Sequence, residues 1–520
     1  MVTAAVGRRC CLRLACAGLI LMLAPAAPAQ DGPVLAPAFA EVDRIFTDYA
    51  RQGHVPGMAW GIIVDGRLVH AGTLGVQDTT TQAPVTAETV FRIASMTKSF
   101  TAVAILSLRD AGRLSLDDPA EKYVPELAAL PYPTSDSPRI TIRHLLSHAA
   151  GFPEDNPWGD QQLALSDAQM TALLEQGIPF SNPPGLAYEY SNYGFALLGR
   201  IVATVSGMPY RDYVRTRVLE PLGLSATTLD AQAVPPARLG HGYRWEDDRW
   251  KEEPPLPDGA FGAMGGMLTS LRDLARYVAW MMDAWPARDG AESGPLRRAS
   301  RREMQQVWRV GPAQVRRSPG GTVQLAAGGY GYGLRVSQSC EFGHIVSHSG
   351  GLPGFGSLMR WYPDYGLGVV AMGSLTYTSW ATRFDAAVDA LVRTGGLRPR
   401  QPEPAPALVA MRSDVSRLLE RWDDGLADRI AANNLYLDRS RERRRDEIVA
   451  LRGKHGGCRA DGPLVAENAL RGEWVMACER GAVRVRITLA PTVPPKVQHL
   501  SFHSLEKNDS PASVANPCAP

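Results

Sequence analysis

Ser95 and Lys98 stand three residues apart in the stretch FRIASMTKSF, from Phe91 to Phe100. The chain draws nearly all its positive charge from arginine, and its only lysines are Lys98, Lys122, Lys251, Lys454, Lys496 and Lys507. One of these few lies in an apolar neighbourhood, close after a serine. A serine hydroxyl is a weak nucleophile at neutral pH and needs an adjacent base. An amine becomes that base when burial strips its proton, whereas a guanidinium stays charged in any protein environment. Three-residue spacing on a helix puts both groups on one face. A serine at a helix N-terminus also sits where amides and dipole favour negative charge on a substrate oxygen. Residue types and spacing therefore predict acyl transfer, with Ser95 as nucleophile and Lys98 as base.

S-x-x-K alone is a weak signal, because chance supplies about one or two in a chain of this length. Ser504 to Lys507 repeats it, but at the end of a strand-like run followed by polar NDSPAS instead of a buried helix. Two ordered motifs add weight to Ser95. Tyr190-Ser191-Asn192 lies in a loop after Pro183-Pro184-Gly185, and His348-Ser349-Gly350 lies on a predicted strand with Gly351 next.

With these motifs the sequence resembles the serine β-lactamases and penicillin-binding proteins, especially the class C β-lactamase-like branch with its esterases and D-amino-acid peptidases. The resemblance covers roughly Phe39 to Arg393. It includes LLSHAAG at Leu145 to Gly151, GGMLTS at Gly265 to Ser270, and GYG at Gly331 to Gly333. It implies an α+β fold, an antiparallel sheet flanked by helices. It also implies that Ser95 is acylated, that Lys98 and Tyr190 share proton transfer, and that Asn192 helps to hold lysine and substrate. The third motif of such proteins is usually K-T-G or K-S-G, and His348-Ser349-Gly350 stands in its place. The resemblance implies substrate binding by His348, Ser349, Gly350 and Gly351, with Ser349 donating a hydrogen bond, Gly350 admitting substrate to the strand edge, and the Ser95 and Gly351 amides holding the oxyanion. The lysine of K-T-G helps to bind a β-lactam carboxylate, and imidazole at its ordinary pKa is largely neutral at pH 7. The expectation therefore moves from efficient β-lactam hydrolysis towards peptidase or esterase activity on a small amide or ester. A true β-lactamase and a non-catalytic penicillin-recognising sensor are the alternatives.

Other chemistries are less well marked. His144 and His148 are four apart in HLLSH, but no glutamate follows His144 as a zinc-protease helix requires. His344 and His348 lack a carboxylate-rich partner. Capping or packing is expected for His144 and His148, and no metal or other cofactor is expected for the chain. No G-x-S-x-G elbow is present.

The elements that must position these residues follow from hydrophobic patterning. FAEVDRIFTDYARQ reads as a helix, GMAWGIIV-DG-RLVHAG as a hairpin, and Ala102 to Leu108 as a helix buried on every side. Helical segments dominate from about 114 to 333, strands return at HIVSHSGG, SLMRWYP and GLGVVAMGS, and a helix at SWATRFDAAVDALVR precedes the proline-rich break RPRQPEPAP. The residues alone read as one α/β unit over 31–396, split by this helical insertion. A linker follows over 397–408, then a small α+β domain over 409–520. That domain carries the hairpin GEWVMACERGAVRVRITLAP, turning at Arg480-Gly481, and a charged helix whose run RSRERRRDE reads as a solvated face.

The chain has 520 residues, 45% of them hydrophobic, with a formal net charge of +2. This excludes disorder and gives no basic field for nucleic acid, so a small molecule or short peptide is the expected partner. Residues 1–30 carry Arg8, Arg9 and Arg13, the apolar run LILML and Ala27-Pro28-Ala29, the layout of a cleaved secretory signal. A periplasmic or secreted protein without a stable membrane span is expected. In that compartment Cys458 and Cys478, which flank a short segment, are the expected structural disulfide.

Overall fold

The computed structural model describes residues 32–505 apart from 157, 318–322 and 461. The expected signal segment, and Lys507 of the second S-x-x-K, lie outside the described residues. Gly57–Val64 and Arg67–Gly75 form the predicted hairpin. Its tight turn places Asp65 at φ 46° and Gly66 at φ 79°, the two positive angles that a two-residue turn matching strand twist requires.

This hairpin opens a nine-stranded sheet in the order Arg67–Gly75, Gly57–Val64, Leu367–Gly373, Phe355–Tyr362, Gly343–Leu352, Arg335–Ser339, Val323–Tyr330 and Arg309–Val310, with Gln314–Arg317 also paired to Val323–Tyr330. All of these pairs are antiparallel. The unit read as α/β from residue patterning is thus α+β, as the resemblance implied, because its sheet strands pair antiparallel and, apart from the helical segment inserted between Gly75 and Arg309, follow one another through short connections. The sheet also takes in the strands between Arg309 and Tyr330, a stretch the sequence placed inside the helical segment. VQLAAGGY has the small-residue composition of a weak strand former, and it pairs near the sheet edge.

The central strands are buried on both faces, which explains their near-continuous apolar runs. Met58, Trp60, Ile62 and Val64 pack with the terminal helices Gly32–Gln52 and Ala381–Arg393. Ala59 and Ile63 point the other way, into the larger core built around helices Thr97–Asp110, Asn192–Ser206 and Leu271–Met282. Trp361 belongs to that larger core and Tyr362 to the other.

Residues 406–505 form their own core of three helices, Pro406–Glu420, Asp424–Ile430 and Arg441–His455, against a five-stranded sheet. Its central hairpin turns at Glu479-Arg480, one residue earlier than expected, and Gly481 opens the next strand at φ 97°. Cys458 and Cys478, directly opposite on neighbouring strands, are joined by a disulfide. Most of the charged run 439–447 is exposed, but Arg444 is buried and donates to the Leu435 carbonyl at 2.9 Å. Ser504 lies in the strand Val497–Leu505, bonded to His455 Nε2 at 2.8 Å.

Candidate active site

Ser95 sits in a single 3-10 turn, Ala94–Met96, which runs into the buried helix Thr97–Asp110. Ala94 adopts φ 46°, a left-handed conformation that costs a residue with a Cβ and persists only where its surroundings enforce it. The enforcement is visible. Thr97 Oγ1 donates to the Ala94 carbonyl at 2.6 Å and accepts from Met267 N–H at 3.1 Å. Ser357 Oγ donates to the Ile93 carbonyl at 3.0 Å. A Cβ on Gly350 would stand 2.1 Å from that same carbonyl oxygen. Gly350 is therefore a glycine so that the Ser95 turn can nest on the strand, a packing requirement beside the expected one of admitting substrate. Gly333 of the GYG motif serves the other flank, at φ 66° with its missing Cβ 2.5 Å from the Lys98 carbonyl oxygen.

Lys98 is fully buried and its Nζ has three oxygen neighbours: Ser95 Oγ at 3.0 Å, Asn192 Oδ1 at 2.6 Å and the Met264 carbonyl at 2.7 Å. Burial brings the ammonium down to about 7, with Asp155 and Asp160 opposing that shift and Arg335 adding to it. The partners decide what the neutral amine does. Asn192 Oδ1 and the Met264 oxygen can only accept, so the two N–H bonds of a neutral amine go to them. The remaining lone pair is left for the Ser95 hydroxyl, the arrangement a general base needs. Asn192 is itself fixed, its Nδ2 donating to Asn156 Oδ1 at 2.5 Å and its backbone N–H to Asp155 Oδ1 at 2.6 Å. The second Asp155 oxygen accepts from Tyr193 N–H at 2.7 Å, so one carboxylate caps the helix that carries Asn192.

Tyr190 brings its ring to 4.9 Å from Lys98 Nζ. Burial pushes its phenol well above the ordinary value, opposed by the neighbouring Ser95 hydroxyl. Ser95, Lys98, Tyr190 and Asn192 are thus brought together. His148 packs at 4.3 Å between ring centroids on Tyr190 and accepts from Ser191 N–H through Nδ1 at 3.1 Å, while His144 completes the capping box with Thr141.

His348 is placed differently from the sequence expectation. It is 1% exposed; Nδ1 lies 2.7 Å from the Ser349 carbonyl and Nε2 lies 2.7 Å from Tyr330 Oη. The carbonyl can only accept, so Nδ1 carries the proton and Nε2 accepts from the tyrosine. Burial, then the charges of Lys98 and Arg335, hold this imidazole neutral. Both nitrogens are engaged, so His348 supports the pocket wall and offers nothing to a substrate. Ser349 and Gly351 remain accessible on the strand, whose pairing with Arg335–Ser339 stops at Ser347 and leaves the following edge open.

Sequence reasoning missed the residue that supplies positive charge here. The Arg335 guanidinium is 5.9 Å from the centre of the Tyr190 ring, and the groups acting on it are Tyr188, Tyr330 and Tyr190, with no carboxylate paired to it among the described residues. It lines a cavity of about 190 Å³ with Tyr188, Pro312, Ala327, Gly328 and Ser347. Asp155, Asn156 and Asp160 were missed as well; their only sequence signal is an acidic, proline-broken loop, PEDNPWGD, between two of the motifs.

A serine on a helix turn in hydrogen-bond contact with a buried lysine, beside a strand with an open edge in an antiparallel sheet, is the arrangement on which the comparisons with known proteins bear. A family model described as Beta-lactamase matches residues 42–394, and the chain belongs to that family. It is 29% identical over 318 residues to Penicillin-binding protein 4* of Bacillus subtilis, a match spanning 58% of this chain and 64% of that protein. It is 33% identical over 252 residues to a beta-lactamase of Lysobacter lactamgenus, spanning 48% of this chain and 62% of that protein. The chain thus matches a little under two thirds of the length of each. Among solved structures, a penicillin-binding protein from Bacillus halodurans aligns with TM-score 0.54 and 25% identity over 67% of this chain and 99% of that one. An octameric penicillin-binding protein homologue from Pyrococcus abyssi aligns with TM-score 0.55 and 22% identity over 91% of this chain and 94% of that one, and shows likeness of fold. No helix among the described residues is long and apolar enough to cross a membrane.

Proposed function

We propose that the chain is an exported serine hydrolase that cleaves a small amide or ester through an acyl-enzyme on Ser95. The observation that carries this reading is the bonding of Lys98, whose two carbonyl acceptors leave its lone pair to the Ser95 hydroxyl. Ser95 passes its proton to Lys98 and attacks the substrate carbonyl. The amides of Ser95 and Gly351 hold the oxyanion. Lys98 and Tyr190 return a proton to the leaving group, and water then releases the acyl group from Ser95. Arg335 favours a substrate whose leaving portion bears a carboxylate, as an amino acid released from a peptide does, because it is a solvent-accessible cation with no acidic partner among the described residues, at the end of the cleft where Ser347 lies. The signal-like segment and the disulfide support export.

The test incubates purified protein with a chromogenic ester, a D-amino-acid amide and a chromogenic cephalosporin, each alongside Ser95→Ala. Turnover and an acyl mass adduct on the wild type, both absent from Ser95→Ala, are expected. Absence of turnover and adduct with every substrate refutes the reading and favours a binding module.

A further inference from the structure

Tyr377 has no part in the chemistry above, yet it stands at the end of the cleft opposite Arg335. Arg335 is paired across from Ser347, and Tyr377 packs on Gly351, where an added Cβ would lie 2.7 Å from its ring carbon Cδ1. The two positions are four residues apart on one strand, a span of roughly 13 Å. The nucleophile turn meets the strand between them, at Gly350. A substrate with its carboxylate at Arg335 and its reacting carbonyl at Ser95 therefore extends its acyl group towards Tyr377.

The ring is rigidly mounted. Tyr377 adopts φ 52°, and its N–H reaches the carbonyls of Leu352 at 3.4 Å and Phe355 at 3.2 Å. The adjacent Thr376 Oγ1 accepts from Gly354 N–H at 2.8 Å, and a Cβ on Gly356 would come within 2.3 Å of the Thr378 carbonyl oxygen. The Tyr377 hydroxyl then crosses the cleft to donate to Asp160 Oδ2 at 2.9 Å. Asp160 is 2% exposed and belongs to the turn Gly159–Gln162, which packs on Asn192: a Cβ on Gly159 would lie 2.6 Å from the Asn192 Cβ. The phenol thus joins the strand wall to the wall that holds Asn192, while 46% of the residue stays open to solvent.

We infer that Tyr377 determines specificity for the acyl group: with Asp160 it closes the acyl end of the cleft, so that short acyl groups pack against its ring and long ones are rejected. The inference rests on the acyl-enzyme reading and deepens it by naming the substrate class, esters or amides of short acyl groups. A steric wall acts through discrimination among substrates, and removing it changes their ratio more than any single rate.

The experiment measures kcat/KM for p-nitrophenyl acetate, butyrate and octanoate with wild type, Tyr377→Ala and Tyr377→Phe. In the wild type the rates are expected to fall with chain length, and octanoate turned over as fast as acetate overturns the inference. Tyr377→Ala is expected to raise the octanoate-to-acetate ratio at least 10-fold. Tyr377→Phe keeps the ring but loses the bond to Asp160, and is expected to raise the ratio by less. A ratio within 2-fold of wild type in both variants, with Ser95 still acylated, overturns the inference alone. Absence of Ser95-dependent acylation from the wild type overturns the acyl-enzyme reading and this inference together.

Discussion

Replacing Asn192 by Asp tests whether Lys98 works as a neutral base. The change is nearly isosteric and places a carboxylate where a neutral amide oxygen now sits, 2.6 Å from Lys98 Nζ. Opposite unit charges about 4 Å apart, at an effective dielectric near 20, attract by about 4 kcal/mol, which converts to roughly 3 pKa units. The new carboxylate is itself desolvated, which reduces the effect, so an upward shift of about 2 to 3 units is the working figure. In the wild type the ammonium stands at about 7, and activity needs the amine free, so kcat/KM rises with pH through that value. An attracting charge favours the ammonium and moves the rise upwards. At pH 7 the free-amine fraction of Asn192→Asp then drops by about 50- to 500-fold, from roughly one half, and activity falls with it. The assay is the pH profile of kcat/KM for a neutral ester between pH 5.5 and 10. Activity in the variant should return towards the wild-type plateau as pH rises to about 9 or 10, which a merely misfolded site would not do. An unshifted profile in Asn192→Asp, or a wild-type profile without an acid limb near 7, refutes the neutral-base assignment.

Two further outcomes are expected. Arg335→Gln should lower kcat/KM for substrates with a free carboxylate on the leaving portion by about 10- to 150-fold, the worth of one charge-assisted hydrogen bond, and change neutral esters less than 3-fold; steady-state kinetics on a matched acid and methyl ester checks this. Gly333→Ala should destabilise the protein by about 2 to 4 kcal/mol in denaturant unfolding, because the new methyl group meets the Lys98 carbonyl oxygen at 2.5 Å and the backbone is held at φ 66°.

The parts of the site legible in the sequence are those whose chemistry depends on residue type at a short, fixed spacing. Ser95 and Lys98 share one helical turn, and Tyr190 and Asn192 flank a helix start, so their types carried the meaning. Asp155, Asp160 and Arg335 carry charges that look like solvated surface in any linear reading, and only the fold shows a carboxylate capping the Asn192 helix or a guanidinium among three tyrosines. His348 misled because a motif position was taken to keep its role when its side chain changed. A lysine there could reach out with three donors, whereas the shorter imidazole is satisfied by its own neighbour's carbonyl and by Tyr330. The fold follows the same rule. The doubly buried strands announce themselves by apolar runs, while Val323–Tyr330, next to the sheet edge and with little side-chain volume, does not.

The charges around Lys98 bear on both substrate choice and catalysis. Asp155 and Asp160 favour the ammonium, while burial and Arg335 favour the free amine. With the imidazoles of His148 and His348 held neutral by burial, Arg335 is the cation that bears on this balance from the leaving-group end. A lysine at position 348 would have put a second ammonium beside Lys98, and mutual repulsion would depress both. Exchanging it for a neutral imidazole moves the positive charge to the next strand, across from Ser347. There it can meet a carboxylate of the substrate without crowding the base. On the proposed function, the neutral imidazole at 348 leaves the anionic leaving portion to Arg335 while Lys98 stays poised near neutrality.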